Sequence, residues 1–355
     1  MQRVQRKLEH IKYAVELADG PAGTRFEDLR FLSNCLPDVN LADIDLSVRI
    51  YGRNLRLPFF IDAVTGGDEK LTEINRNLAV VAAKLGIGIA VGSQYGVVKK
   101  GGAQECSSYA VIREVYPTGL VFANVSVLAT PEEAGRAADM IAADALEVHL
   151  NPAQELVMPE GDRNFSGMLG NILKIKEHVS VPVIVKETGS GIAAEQLRLL
   201  KGYGFKDFNC AGAGGTNFAA IEAARAQKEL SKDLLCWGQP TCWSLLDCSQ
   251  NLTEEDLLLA SGGIRSASDV VKAFALGADL VGITGIVLKL VLQHGVTAAT
   301  EYFLQLAEDV KHYLVLTGCK HPYALRGVPL VITDSTYQYI NCRGYNLEAV
   351  CRGRR

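Results

Sequence analysis

The sequence predicts a (β/α)8 TIM barrel with an N-terminal extension and a C-terminal helical tail. Three observations predict it. Eight short, apolar, β-branched runs recur along the chain, each closing on Gly, Thr, Ser or Asn. Helical segments of roughly 10–20 residues separate them. The runs are apolar throughout instead of alternating, as in parallel strands covered on both faces. Eight strand–helix units close into a barrel more naturally than they form an open sheet.

Taken in order, residues 1–57 precede the first run. They hold a helical stretch, Val4–Ala18, and an extended segment, Leu46–Leu57, read as an extension packed on the barrel and contributing to the substrate site. The barrel, residues 58–316, contains Pro58–Gly67, Gly86–Ser93, Gly119–Val127, Ala145–Pro152, Pro182–Gly189, Phe205–Gly215, Leu257–Arg265 and Asp279–Gly285. A helical stretch, His294–Leu316, closes it. Residues 317–355 form a tail ending Arg-Gly-Arg-Arg, whose charge reads as a solvated end. No repeat with a period of roughly 20–50 residues indicates a solenoid.

Composition narrows the function. The chain has 355 residues, 48% hydrophobic and 21% charged, which supports a large core and excludes global disorder. Its 36 basic and 40 acidic residues, net charge −4, argue against a nucleic-acid surface. Nine cysteines, an odd number with no Cys-x-x-Cys, point to reduced thiols in a cytoplasmic protein. The charged N-terminus is not a signal peptide, and no run of about 18 apolar residues suggests a membrane span.

Active sites in this fold lie at the C-terminal ends of the strands. Gly214-Gly215-Thr216, Gly262-Gly263 and Thr284-Gly285, ending runs six to eight, supply backbone N–H groups for a phosphate, and Arg265 adds charge. Across the mouth, Thr65-Gly66-Gly67, Ser93 and Asn124 offer hydrogen bonds to the edge of a flat heterocycle. Lys186 would place a cation beside it. FMN satisfies both halves, and the cation would stabilise its anionic reduced form.

The fourth run is the most unusual. His149 and Asn151, two apart, are expected on one side of a strand that Pro152 ends. Gln154 and Glu155 follow on a rim loop, with Glu155 suited to Mg²⁺ shared with a substrate phosphate. On the N-terminal helix, Arg6, Lys7 and His10 share a face and would clamp a diphosphate.

These residues carry a family resemblance. HLNPAQE at 149–155 followed by MPEGDR at 158–163 resembles the type 2 isopentenyl-diphosphate isomerases. TGG at 65–67, GSQ at 92–94, VKE at 185–187, GGT at 214–216, WGQPT at 237–241 and SGGIR at 261–265 support it. The resemblance runs from Arg6 to Gly344. It implies an FMN-dependent barrel enzyme that interconverts isopentenyl and dimethylallyl diphosphate, uses reduced flavin without net redox change, is primed by NADPH or another reductant, and assembles as a homotetramer or homo-octamer. It implies that Thr65, Ser93, Asn124, Lys186, Thr216, Gly263 and Arg265 hold FMN. Arg6, Lys7, His149, Asn151 and Gln154 would contact the substrate, His10 would support the clamp, and Glu155 would bind Mg²⁺. Gln154 and Lys186 are the expected catalytic residues. The sequence departs from the family pattern at Val64, Tyr95, Met168 and Gln239.

Two other classes compete. A hydroxy-acid oxidase on a similar barrel would share the flavin cradle but needs a His-x-x-Arg rim pattern that is absent here. A flavin- or phosphate-binding sensor would have no use for the 149–155 side chains.

Overall fold

The computed structural model describes residues 2–99 and 103–352. The last three residues of the basic tail, 353–355, lie outside them. Eight parallel strands form a closed barrel: β1 (Phe59–Ile61), β2 (Gly88–Ala90), β3 (Val121–Ser126), β4 (Ala145–His149), β5 (Val183–Lys186), β6 (Asp207–Asn209), β7 (Leu257–Ala260) and β8 (Leu280–Ile283). Each pairs with its sequence neighbour, and β8 closes on β1 through Val281↔Phe59 and Ile283↔Ile61. All eight predicted runs contain a barrel strand. They were legible because each strand is covered inside and out: every residue of β3 is buried.

Four helices position the site: α1 (Gln2–Glu16), α2 (Pro152–Val157), α3 (Phe218–Arg225) and α4 (Gly285–Thr317). Helix α1 begins and ends two residues before the predicted stretch. Helix α4 starts nine residues before the predicted His294, directly at the end of β8, and is broken at Gly295, whose φ of 79° no helix accommodates. Sequence periodicity is lost at such a break, which is why only the distal part was legible. The segment expected as one extended stretch, Leu46–Leu57, is a hairpin, Val48–Ile50 with Arg53–Leu55. Tyr51 and Gly52 both have positive φ, the backbone that a two-residue turn requires.

This hairpin closes the barrel floor. Val48, Ile50 and Leu55 pack with Phe60, Phe122 and Ile184 at the N-terminal ends of the strands. The Tyr51 ring meets Phe122 edge-on at 6.2 Å, and its hydroxyl donates to Asp207 Oδ2 at 2.7 Å. The two ends of the chain also pair: Leu29–Phe31 runs antiparallel to Leu330–Ile332. With the floor sealed, the open end of the barrel is the C-terminal rim. No helix among the described residues is long and apolar enough to cross a membrane.

Candidate active site

A cavity of about 1180 Å³ opens at that rim. Every residue the sequence nominated lines it except Gly66, Gly67 and Gly214. Gly66 and Gly67 are turned to structural tasks. The Gly67 N–H donates to Ser108 Oγ at 2.7 Å, and the Gly66 carbonyl accepts from Lys7 Nζ.

One side of the cavity is a glycine cradle. Gly215 lies so close to Gly263 that a β-carbon there would meet the Gly263 nitrogen at 2.6 Å. Helix α4 begins at its edge, and Thr284 makes no side-chain cap, so its first-turn N–H groups face the cavity mouth. Arg265 shares its charge with Asp19, Nη2 to Oδ1 at 2.6 Å. The cradle could therefore hold an anion chiefly through backbone N–H groups and the helix terminus. Gly263, at φ +79°, would drive a β-carbon into the Gly214 carbonyl. We expect Gly263→Ala to abolish tight FMN binding while thermal unfolding shows the barrel still folded; FMN fluorescence quenching checks this.

Below the cradle lies a buried polar layer. Lys186 Nζ is 2.7 Å from Asp62 Oδ2, both nearly fully buried. The Glu147 carboxylate accepts from Asn124 Nδ2 and Asn209 Nδ2, each at 2.9 Å. Asn124 Oδ1 meets His149 Nδ1 at 2.8 Å. A carbonyl oxygen accepts, so the network assigns the proton to Nδ1 and leaves Nε2 as an acceptor. Burial, then the Lys186 charge, lowers the His149 pKa to about 4, so the ring is neutral at physiological pH. His149 thus brings no charge to a diphosphate.

The other side of the cavity is built by α1, α2 and α3. The expectation that His149 and Asn151 share a strand face is corrected: β4 ends at His149, and Asn151 adopts a left-handed backbone, φ 48°. This turn, followed by Pro152 at the first helical position, starts α2 where a rim loop was expected, so Gln154 and Glu155 stand on a helix. Asn151 Nδ2 donates to Gln154 Oε1 at 2.6 Å, and Gln154 Nε2 donates to Glu222 Oε1 at 2.7 Å. His10 Nε2 reaches the same Glu222 oxygen at 2.8 Å, and Arg225 pairs with the other. Arg225 also binds Glu9 and Glu160, each at 3.0 Å, and Arg6 lies 3.6 Å from Glu160. The N-terminal helix is thus tied over the cavity by ion pairs. Lys7 reaches the Ser93 carbonyl at 3.2 Å and the Tyr109 hydroxyl at 2.8 Å.

Three comparisons give these contacts a context. Residues 167–328 match the FMN-dependent dehydrogenase family. The chain is 43% identical to the isopentenyl-diphosphate delta-isomerase of Moorella thermoacetica, covering 96% of this chain and 97% of that one. It is 41% identical to the protein of the same name from Geobacillus sp., covering 99% and 100%. The chain belongs to the isopentenyl-diphosphate delta-isomerase family. Among solved structures it is similar to a mandelate oxidase variant, with TM-score 0.68, 18% identity, and 91% and 95% of the two chains covered. At that identity the likeness shows the barrel fold alone.

This isomerase carries four site residues that the sequence reading missed: Asp62, Glu147, Glu222 and Arg225. Three are acids set in apolar stretches, FFIDAV, ALEVHL and FAAIEAA. A carboxylate in such a stretch is buried only with a partner, which was the available signal. The donors present fit FMN: a backbone cradle for its phosphate and a buried ammonium on the cavity floor.

Proposed function

We propose that this isomerase interconverts isopentenyl and dimethylallyl diphosphate with FMN held in the reduced state. The observation that carries this reading is one cavity with two unlike halves. A glycine cradle with Lys186 faces a hydrogen-bonded series of Asn151, Gln154, Glu222 and His10. Thr65, Ser93, Asn124, Lys186, Thr216, Gly262, Gly263, Arg265, Thr284 and Gly285 would hold the cofactor. When bound, reduced FMN would supply electron-rich, negatively charged chemistry to stabilise positive charge developing on the substrate. Arg6, Lys7 and His10 would close α1 over the diphosphate, while His149 and Asn151 contact the substrate without adding charge.

Moving a double bond requires a proton at one carbon and removal of another, and an alkene is a poor base. The protein must therefore hold a proton donor or acceptor where water is excluded. Gln154, pinned by Asn151 and Glu222, would orient or relay that proton. NADPH would serve only to reduce the cofactor. The test is anaerobic turnover of isopentenyl diphosphate with and without reductant, with a 2-hydroxy acid as control substrate. Equal activity of apo-protein and reduced holo-protein, or oxidation of the hydroxy acid instead, overturns the reading. A homotetramer or homo-octamer in the cytoplasm is part of the same proposal, checked by light scattering.

Glu155 would carry Mg²⁺. Burial raises its pKa, with the neighbouring Asp162 and Glu222 charges adding to the effect. A bound cation would keep it ionised. Among the described residues, no cluster of three or more His, Cys, Asp or Glu could hold a metal. The ion would therefore arrive with the substrate diphosphate, a common arrangement for Mg²⁺. We expect Glu155→Gln to raise the Mg²⁺ requirement steeply and EDTA to mimic it. Normal turnover in EDTA would leave Glu155 a helix carboxylate only.

A further inference from the structure

Beneath the proposed flavin seat, the barrel holds two carboxylates and one ammonium. Asp62 already engages Lys186 at 2.7 Å. Glu147, fully buried, is left with the neutral amides of Asn124 and Asn209. Its surroundings on every side are accounted for. Asp62 directly follows β1; β3 presents Asn124, β5 Lys186 and β6 Asn209, while His149 lies two residues further along the strand of Glu147. From the floor, the Tyr51 hydroxyl feels the Glu147 charge but is bonded to Asp207. Among the described residues, the only cation facing the layer is Lys186. With both acids ionised, the layer carries one uncompensated negative charge in a medium where charge separation is costly.

We propose that Glu147 is a charge-balancing residue, which takes up one proton when a negative charge arrives at the flavin seat above Lys186. The inference rests on the reading of that seat. Two electrons and one proton convert bound FMN to its anionic hydroquinone, and Lys186 then faces three anions. Protonating Glu147 from solvent returns the layer to balance: Asp62 and Lys186 stay paired, and Glu147 no longer adds negative charge beneath the cofactor. Reduction thus consumes a second proton that ends on a carboxyl oxygen and forms no bond to the flavin. Burial, partly offset by Lys186, raises the Glu147 pKa to about 7, so the acid is within reach of a proton at physiological pH. Glu147 does not line the cavity and acts through Lys186 and Asp62, so its role is electrostatic positioning.

Spectroelectrochemical titration of the FMN holoenzyme against pH tests this. In the wild type, the potential should fall with one proton per two electrons below about pH 7 and two protons above it. Each proton corresponds to about 30 mV per pH unit. Glu147→Gln should show one proton throughout. Wild-type and variant slopes that coincide would overturn the proposal. Because the variant rearranges an amide pair and could fail to fold, infrared difference spectra of the wild type provide a second reading. Reduction above pH 7 should gain the carbonyl band of a protonated carboxyl, and absence of that band also overturns it. A wild-type protein that binds no FMN sinks the seat and this role together. FMN binding with a single-proton slope sinks only the role of Glu147.

Discussion

Gln154→Ala should lower kcat by about 10²-fold or more while leaving KM and FMN affinity nearly unchanged. The amide is nearly buried, its oxygen held by Asn151 and its nitrogen by Glu222. Such double pinning fixes the direction in which it meets a substrate atom, and alanine loses that direction entirely. An amide is a poor acid by itself, so its effect depends on Glu222. Burial would raise the Glu222 pKa, but His10, Gln154 and Arg225 outweigh it and hold the carboxyl below the ordinary range. It is therefore ionised at neutral pH and able to accept a proton through the amide. Glu222→Gln keeps the shape and removes that capacity, so it should lower kcat to a similar degree. The distinguishing measurement is the pH profile. If ionised Glu222 is needed, wild-type kcat declines only as pH falls through its depressed pKa, and the variant lacks that limb. Near-normal kcat with a raised KM in both variants would make Gln154 a binding residue.

How much of this was readable in the sequence differs by element. Strands β1 to β8 announced themselves because a parallel barrel strand is covered on both faces and leaves an unbroken apolar run. The rim residues followed from strand ends alone, and Thr65, Ser93, Lys186, Gly263 and Thr284 do line one cavity. The sequence could not show what those side chains hold on to. Lys7 reaches Tyr109 across 102 positions and Gln154 reaches Glu222 across 68, distances that no local spacing encodes. The floor hairpin was misread for a related reason. A three-residue strand pairing with its neighbour through Tyr51-Gly52 has the same local composition as an extended linker. Asn151 shows the limit of alternation: β4 stops at His149 and the chain turns left-handed at Asn151, so the strand ends two residues before alternation up to Pro152 placed its end.

Lys186→Met should give the largest loss of stability, about 3–5 kcal/mol at neutral pH, the usual result of removing one partner from a buried ion pair. Methionine fills the volume of the lysine stem, so the loss isolates the charge. Asp62 and Glu147 would then lie buried with no cation facing them. The sign of the pH dependence follows. The Glu147 pKa in the folded protein is already raised to about 7, and Lys186 is the charge that restrains it. Without the ammonium it rises further, and an acid whose folded pKa exceeds its unfolded value binds protons preferentially in the folded state. Its unfavourable contribution is absent below the unfolded carboxylate pKa and grows as pH rises toward the folded one. The variant's deficit relative to wild type should thus be small near pH 5 and largest near pH 8, measured by urea denaturation at both values. Reduced FMN should suffer as well, because the cation beside its seat is gone. The variant's flavin potential should fall relative to wild type even where FMN still binds. A uniform deficit across pH would mean that lost packing, and not the unpaired carboxylates, accounts for the change. An unchanged potential would show that Lys186 serves the barrel's internal charge and not the cofactor above it.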